Sequence, residues 1–362
     1  MDILFLSHIP EDDSNGVWKK INSQVKSLRN LGHSVYLTYF KDKDTLTVEC
    51  NGRMIFEKKI LHRYFWFFYL ENKIKIKFDF IYVRKPHGGL YPLGMSFFLR
   101  KFKKCEVVME IPTYPFKNET TGVLGKISSL IFDTEMLLSK RYIDKFIVIG
   151  EDVKEIYGKE CINIINGVNV EDVPFLGNIK NDRTSIIFLG VANLSFWHGY
   201  DRLIDSIKNY HGDRNIKFLI VGDTEPEYSR LKSLSQSYSL KNIEFLGKLN
   251  SKQISELMIR TDICVDSLGR HRSGNNINSS IKSKEYTAMG IPFIMSHDDP
   301  AFGNDRDLNF IFKCLPNESP ISMIEIINWY DNLKVETPKN ERDYAVKNFT
   351  WDSIFNKIIK RG

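Results

Sequence analysis

The chain lacks any run approaching the ~20 consecutive apolar residues that a membrane-spanning helix needs, so no span is expected. Its opening, Met1-Asp2-Ile3-Leu4-Phe5-Leu6, is short and has no basic leader, which predicts a first β-strand and not a signal peptide. Cysteine is sparse. The five residues (Cys50, Cys105, Cys161, Cys264, Cys314) show no Cys-x-x-Cys spacing, which argues against a zinc site and a disulfide framework and points to reduced thiols in a cytoplasmic protein. The loop after the first strand holds a single glycine, Gly16, and no Gly-x-Gly-x-x-Gly, so the dinucleotide fingerprint is missing. No Asp-x-Asp stands at a strand end, so no metal is expected, and Asp12-Asp13 reads as a solvated loop. No nucleic-acid module is visible, which argues against nucleic acid as a partner. Acidic side chains are also scarce in one region. Residues 1–104 hold 19 Lys/Arg against 10 Asp/Glu, so the basic excess of the +6 chain lies wholly in its first third.

That basic third is also aromatic. Arg63-Tyr64-Phe65-Trp66-Phe67-Phe68-Tyr69 is followed by Lys73, Lys75 and Lys77, and later by Phe97-Phe98-Leu99-Arg100-Lys101-Phe102-Lys103-Lys104. Two readings stand: a peripheral contact with an anionic membrane surface, or a buried aromatic segment with a solvated basic face.

At 362 residues the chain exceeds one ordinary core and divides into two domains. Residues 2–7 read as a strand, followed by a loop ending at Gly16 and a helix with Val17, Ile21, Val25 and Leu28 on one face. Residues 34–40 form the next strand, completing a βαβ unit. Further strands fall at residues 80–84, 106–110 and 145–149, with a helix near 123–140. The polar, glycine-bearing segment 172–183 reads as a linker. The strand–helix alternation then restarts at 185–190 and runs through 217–222, 243–247 and 263–266. The fold class is α/β: two Rossmann-like, doubly wound domains, 1–176 and 183–340, with terminal helices in 341–362. Ligands of such sheets bind at the carboxyl ends of the strands.

Residues 277–294 then organise the second domain. Small polar residues lead into a helix with Lys282 and Glu285 on successive turns; Gly290 sits at the C-cap position and Pro292 follows it. A helix N-terminus with serine hydroxyls and free N–H groups seats phosphate, a lysine one turn in adds charge, and a glutamate further along accepts from a ribose diol. The alternative is a surface helix with solvated or paired charges.

The motifs carry a family resemblance. Asn166-Gly167-Val168-Asn169, Val221-Gly222-Asp223 with Leu231, Phe245-Leu246-Gly247, and Glu285 followed by Gly290-x-Pro292 come in the order seen in retaining group 1 glycosyltransferases of the GT-B type, where the second glutamate of a Glu-x7-Glu motif falls on Glu285. Trp197-His198-Gly199-Tyr200-Asp201-Arg202, residues 110–115 and residues 281–286 resemble a branch from capsule and O-antigen synthesis. The pattern departs in two places. Ile277 stands where the first glutamate would fall, and Asn193 and His198 replace the Arg and Lys of the usual diphosphate clamp.

The resemblance implies two domains facing a cleft, with the last helix crossing back to the first domain. It implies transfer of a sugar, with retention and without a metal, from a UDP- or GDP-linked donor to a saccharide acceptor, lipid-linked, in bacterial surface polysaccharide synthesis on the inner face of the membrane. Lys282, Ser279, Ser280, His198, Asn193 and Arg202 are then expected at the diphosphate and Glu285 at the ribose. Gly247 would lie by the base, and Gly16 where the first-domain loop nears the donor phosphate. Glu110 and His8, at strand ends of the first domain, are candidates to orient the acceptor hydroxyl, each with a structural alternative as loop anchor or turn residue. No cofactor is expected beyond the donor. Two other functions fit the architecture: a nucleotide-sugar epimerase, and a nucleotide- or partner-binding protein without turnover.

Overall fold

The computed structural model describes residues 1–12, 15–71, 74, 76–86, 88–115, 122–177, 179, 184–274, 276–303 and 308–359. Asp13, Lys73, Lys75, Asn275 and Arg183 lie outside them, and with them part of the expected solvated loop, basic patch and linker. The chain forms two compact units, Met1–Ile165 with Trp351–Gly362, and Asn166–Thr350.

In the first unit β1 (Asp2–Pro10), α1 (Gly16–Asn30) and β2 (Ser34–Phe40) form the expected βαβ start. The apolar face of α1 is buried, and the Asn15 side chain caps it by accepting from the Val17 amide at 2.8 Å. A hairpin of β3 (Thr45–Cys50) and β4 (Arg53–Lys59) extends the sheet. Next come α2 (Trp66–Glu71), β5 (Phe80–Arg84), α3 (Met95–Leu99), β6 (Glu106–Ile111), α4 (Gly122–Ser139), β7 (Lys145–Ile149), β8 (Glu155–Ile156) and β9 (Lys159–Ile164). The strand order is β4-β3-β2-β1-β5-β6-β7-β9-β8, parallel from β2 to β9. The central strands read Ile3-Leu4-Phe5-Leu6 and Phe80-Ile81-Tyr82-Val83 because both sheet faces are covered, leaving no polar alternation. Leu4, Leu6, Ile81 and Val83 pack on one face, and Ile3, Phe5, Phe80 and Tyr82 on the other.

The second unit contains β10 (Ser185–Val191), α5 (Tyr200–Lys208), β11 (Asn215–Val221), α6 (Glu227–Ser237), β12 (Ile243–Phe245), α7 (Ser251–Arg260), β13 (Ile263–Val265), α8 (Ile281–Met289), β14 (Phe293–Met295), β15 (Ile311–Lys313), α9 (Met323–Asp331) and α10 (Thr337–Asn348). Its parallel sheet runs β12-β11-β10-β13-β14-β15. The order reverses between β10 and β13, which is where open α/β sheets place their ligands.

The expected linker behaves differently. The Leu176 and Gly177 amides both donate to the Met289 carbonyl at 2.9 Å, and Arg342 reaches the Val170 and Val173 carbonyls. That segment is therefore anchored in the second unit, whose boundary falls at Asn166 and not near residue 176. The last helix, α11 (Trp351–Ile359), groups with the first unit and packs on α1, burying Trp351, Ile354, Phe355 and Ile358 in the core that holds Ile21 and Val25.

Candidate functional site

At the carboxyl ends of β10, β13 and β14 the second unit gathers charge. Asp266, the residue after β13, is fully buried with its Oδ1 3.0 Å from Lys282 Nζ and its Oδ2 3.9 Å from His297 Nε2. Burial works to raise this carboxyl, but Lys282 and His297 outweigh it and hold Asp266 well below the usual carboxylate range. Burial and the nearby Lys282 ammonium pull the His198 imidazole down to about 3, so the ring is neutral at ordinary pH. Its Nδ1 accepts from the Ser195 amide at 3.1 Å, which leaves Nε2–H as a donor. Arg270 lies over the Trp197 ring, 6.0 Å from its centroid, and donates to the Asn278 side chain at 3.4 Å.

Lys282 occupies the first turn of α8, where the helix dipole disfavours a cation by itself. It retains 23% side-chain exposure. The Lys282 ammonium, itself buried, a helix N-terminus, a neutral imidazole donor and Arg270 lie together, with Asp266 as the buried counter-charge. That arrangement fits an anion. Glu285 follows one turn later, half-buried, on the same helix. Gly290 ends α8 in the left-handed region at φ 72°, as the sequence leads one to expect.

Other expected donor ligands have different partners. The buried Arg202 donates to the backbone carbonyls of Leu268 and, at 3.0 Å, of Ser319. It ties α5 to two loops through its two terminal nitrogens. The Ser279 hydroxyl oxygen accepts from the Asn166 amide at 2.9 Å, so it joins two chain segments. Ser280 spends its hydroxyl on Asp266. Asn193 is exposed in the loop after β10, and Gly247, just beyond β12, accepts from the Gly222 amide at 2.8 Å. Ile277, where a family glutamate would stand, is 39% exposed and brings no charge.

Gly199 explains the local shape of the Trp197–Arg202 motif. Its φ is 63°, and a Cβ there would lie 2.5 Å from the Gly269 nitrogen, so only glycine lets the β10–α5 loop meet the backbone after β13. His198 rides on that contact, its carbonyl accepting from the Leu268 amide at 2.8 Å.

In the first unit Glu110 is fully buried on β6. It accepts from Lys20 at 3.1 Å, Gln24 at 2.7 Å, Tyr82 at 2.6 Å and Arg84 at 2.6 Å. Burial pushes its carboxyl up, but Lys20, Arg84 and the hydrogen bonds overcome this and hold it at about 2. With these four donors the one carboxylate ties α1, β5 and β6 together. His8, on β1, is likewise buried, its ring 4.3 Å from Tyr91 and 6.2 Å from Trp66. Gly16 opens α1, and among the described residues a Cβ there would find nothing within 4 Å.

Sequence reasoning passed over Asp266, Arg270, His297 and the wholly buried pair Lys284–Asp299, whose Asp299 also accepts from Ser283 Oγ at 3.1 Å. The available signal was position: Asp266 directly follows β13, and His297 and Asp299 follow β14.

Residues 176–300 match the family model of glycosyl transferases group 1. That segment spans β10 to β14 and holds every charged group around Asp266. No curated protein matches the chain by sequence. Among solved structures, sucrose-phosphate synthase from Thermosynechococcus elongatus aligns over 99% of this chain and 98% of its own, at 13% identity and a TM-score of 0.66. Anabaena HepE, solved with UDP and glucose, aligns over 100% and 99% at 15% identity and a TM-score of 0.64. WaaG, a glycosyltransferase involved in lipopolysaccharide biosynthesis, aligns over 100% of both chains at 15% identity and a TM-score of 0.61. The two Rossmann-like units thus match GT-B glycosyltransferase structures in fold.

Proposed function

We propose that the chain is a glycosyltransferase that moves a sugar, with retention, from a UDP- or GDP-linked donor to a lipid-linked saccharide in bacterial surface polysaccharide synthesis. The observation that carries this reading is Lys282. It stands in the first turn of a helix, 3.0 Å from buried Asp266 and beside a neutral histidine, so it both balances that carboxylate and adds positive charge where the helix N–H groups gather. The group 1 match over residues 176–300 and the GT-B fold support it.

In this mechanism Lys282, the α8 N–H groups and His198 Nε2–H meet the negative charge that grows on the departing diphosphate. Glu285 accepts from the ribose. Ile277 offers no nucleophile, so the bond from the anomeric carbon to the phosphate oxygen breaks as the acceptor oxygen bonds on the same face. The acceptor proton passes to the leaving phosphate. The chain's own cations supply the counter-charge, and turnover is expected to persist in a chelator. Ile277 also favours a second reading, a nucleotide-binding protein without turnover.

The test is thermal shift with UDP, GDP, ADP and CMP in the absence of metal, followed by donor turnover. A ligand at ~100 times its dissociation constant adds about 2.7 kcal/mol of stability. A selective shift with UDP or GDP that Lys282→Ala removes is expected. Silence from all four nucleotides would overturn the donor site, and a shift without turnover would favour the second reading.

A further inference from the structure

The turn between β10 and α5 carries two aromatic rings that the core does not take up. Phe196 is 44% exposed and Trp197 is half-buried, their ring centroids 4.9 Å apart and edge to face. In the same unit Tyr200, Phe218, Tyr286 and Phe293 are all buried. The backbone under the two rings is nevertheless held from several sides. The Ser195 amide donates to His198 Nδ1 at 3.1 Å, and the His198 amide donates to the Ser195 carbonyl at 2.9 Å. Arg272 donates to the Phe196 carbonyl at 3.1 Å and is itself fixed by Asp201 at 2.9 Å and by both oxygens of Glu318 at 2.8 and 2.7 Å. Rings displayed on so fixed a turn lose little freedom when a ligand meets them.

Trp197 borders the charged site. Its ring centroid lies 6.1 Å from that of His198, whose Nε2–H is a donor, and 6.0 Å from the Arg270 guanidinium. Arg270 in turn donates to Asn278, two residues before Ser280 caps α8. An aromatic ring beside guanidinium and amide groups suits a pyranose, whose C–H face stacks while its hydroxyls take hydrogen bonds. A nucleobase stacks equally well, but the strand order separates the two. The base is expected beside Gly247, after β12, which lies two strands from β10 on one flank; Arg270 and Asn278 follow β13 on the other flank. A donor whose base lies at β12 and whose diphosphate meets His198 and Lys282 carries its sugar toward Trp197.

We infer that Trp197, edged by Phe196, stacks on the pyranose ring of the donor sugar and helps to select that sugar. The inference rests on the nucleotide-sugar reading proposed above and adds to it a contact that the bare nucleotide does not make.

Tryptophan fluorescence and calorimetry of the full chain with UDP, GDP, UDP-glucose, UDP-galactose, UDP-N-acetylglucosamine and GDP-mannose test it. At least one nucleotide sugar is expected to change the emission beyond its bare nucleotide. Trp18, Trp66 and Trp351 are buried, and Trp329 donates to the Asn309 carbonyl at 2.6 Å, so Trp197→Phe should remove the sugar-dependent change. Trp197→Ala should weaken that nucleotide sugar about tenfold and its bare nucleotide less than about twofold, whereas Trp197→Phe, which keeps a ring, should retain most of the affinity. Equal weakening of both ligands would put the ring on base or phosphate and overturn the inference. Unchanged affinity for both, or binding of a bare nucleotide with no gain from any sugar, would overturn it while leaving the donor site standing. Failure of every probe to bind wild type would remove the donor reading itself, and the inference with it.

Discussion

Replacing Glu110 with Gln separates its two readings. In the native first unit one fully buried carboxylate neutralises Lys20 and Arg84, each with a side chain only 4% exposed. Gln keeps the shape but removes the charge, stranding two cations. Breaking a buried pair in this way costs about 3–5 kcal/mol, which for a unit of this size lowers the melting transition by roughly 6–20 °C. Linkage gives the same scale independently. Glu110 is held at about 2 against an ordinary 4.5, an interval equivalent to about 3 kcal/mol. Because its folded value is depressed, this stabilisation is present above about pH 4.5 and is lost as the pH falls toward 2. The assay is thermal unfolding of wild type and Glu110→Gln from pH 7 down to pH 3. The variant should melt lower at pH 7 and converge on wild type in acid. Adding Lys20→Met should recover part of the loss, since it removes one stranded charge. An unchanged melt with abolished transfer would refute the anchor and return Glu110 to the acceptor.

Lys20 carries a second pH signature: burial pulls its ammonium down to about 8 from 10.5, despite Glu110, so its contribution to stability should rise with pH between those values. Melts across that window, compared with Lys20→Met, check the slope. Lys282→Ala should raise the nucleotide dissociation constant at least tenfold by calorimetry, and should lower the melting point as well because it leaves buried Asp266 short of its counter-charge. Glu285→Ala should lower transfer roughly 10- to 150-fold, through lost ribose bonds worth roughly 1.5–3 kcal/mol; an unaffected rate would displace the donor site. Gly199→Ala adds a Cβ 2.5 Å from the Gly269 nitrogen at a φ of 63° and should destabilise by about 1–3 kcal/mol in denaturant titrations.

Much of this protein is set by local sequence. Apolar runs such as 3–6, 80–83 and 186–189, short and set between helical patterns, read as interior strands, and their alternation with helices points to parallel α/β units. Gly290 with Pro292 marks the end of α8 through backbone constraints that act within a few residues. That Lys282 and Glu285 share one helix was legible for the same reason. The partners of buried polar groups were not legible, because those bonds join residues far apart in sequence. Glu110 meets Lys20 across 90 positions, Arg202 meets Ser319 across 117, and Asn166 meets Ser279 across 113. Nothing in the sequence around Arg202 distinguishes an arginine that grips carbonyls from one that grips phosphate, nor around Trp197 a ring that the core takes up from one left at the surface. Only the tertiary structure decides these, since desolvation and hydrogen-bond supply depend on what other segments bring to the same place.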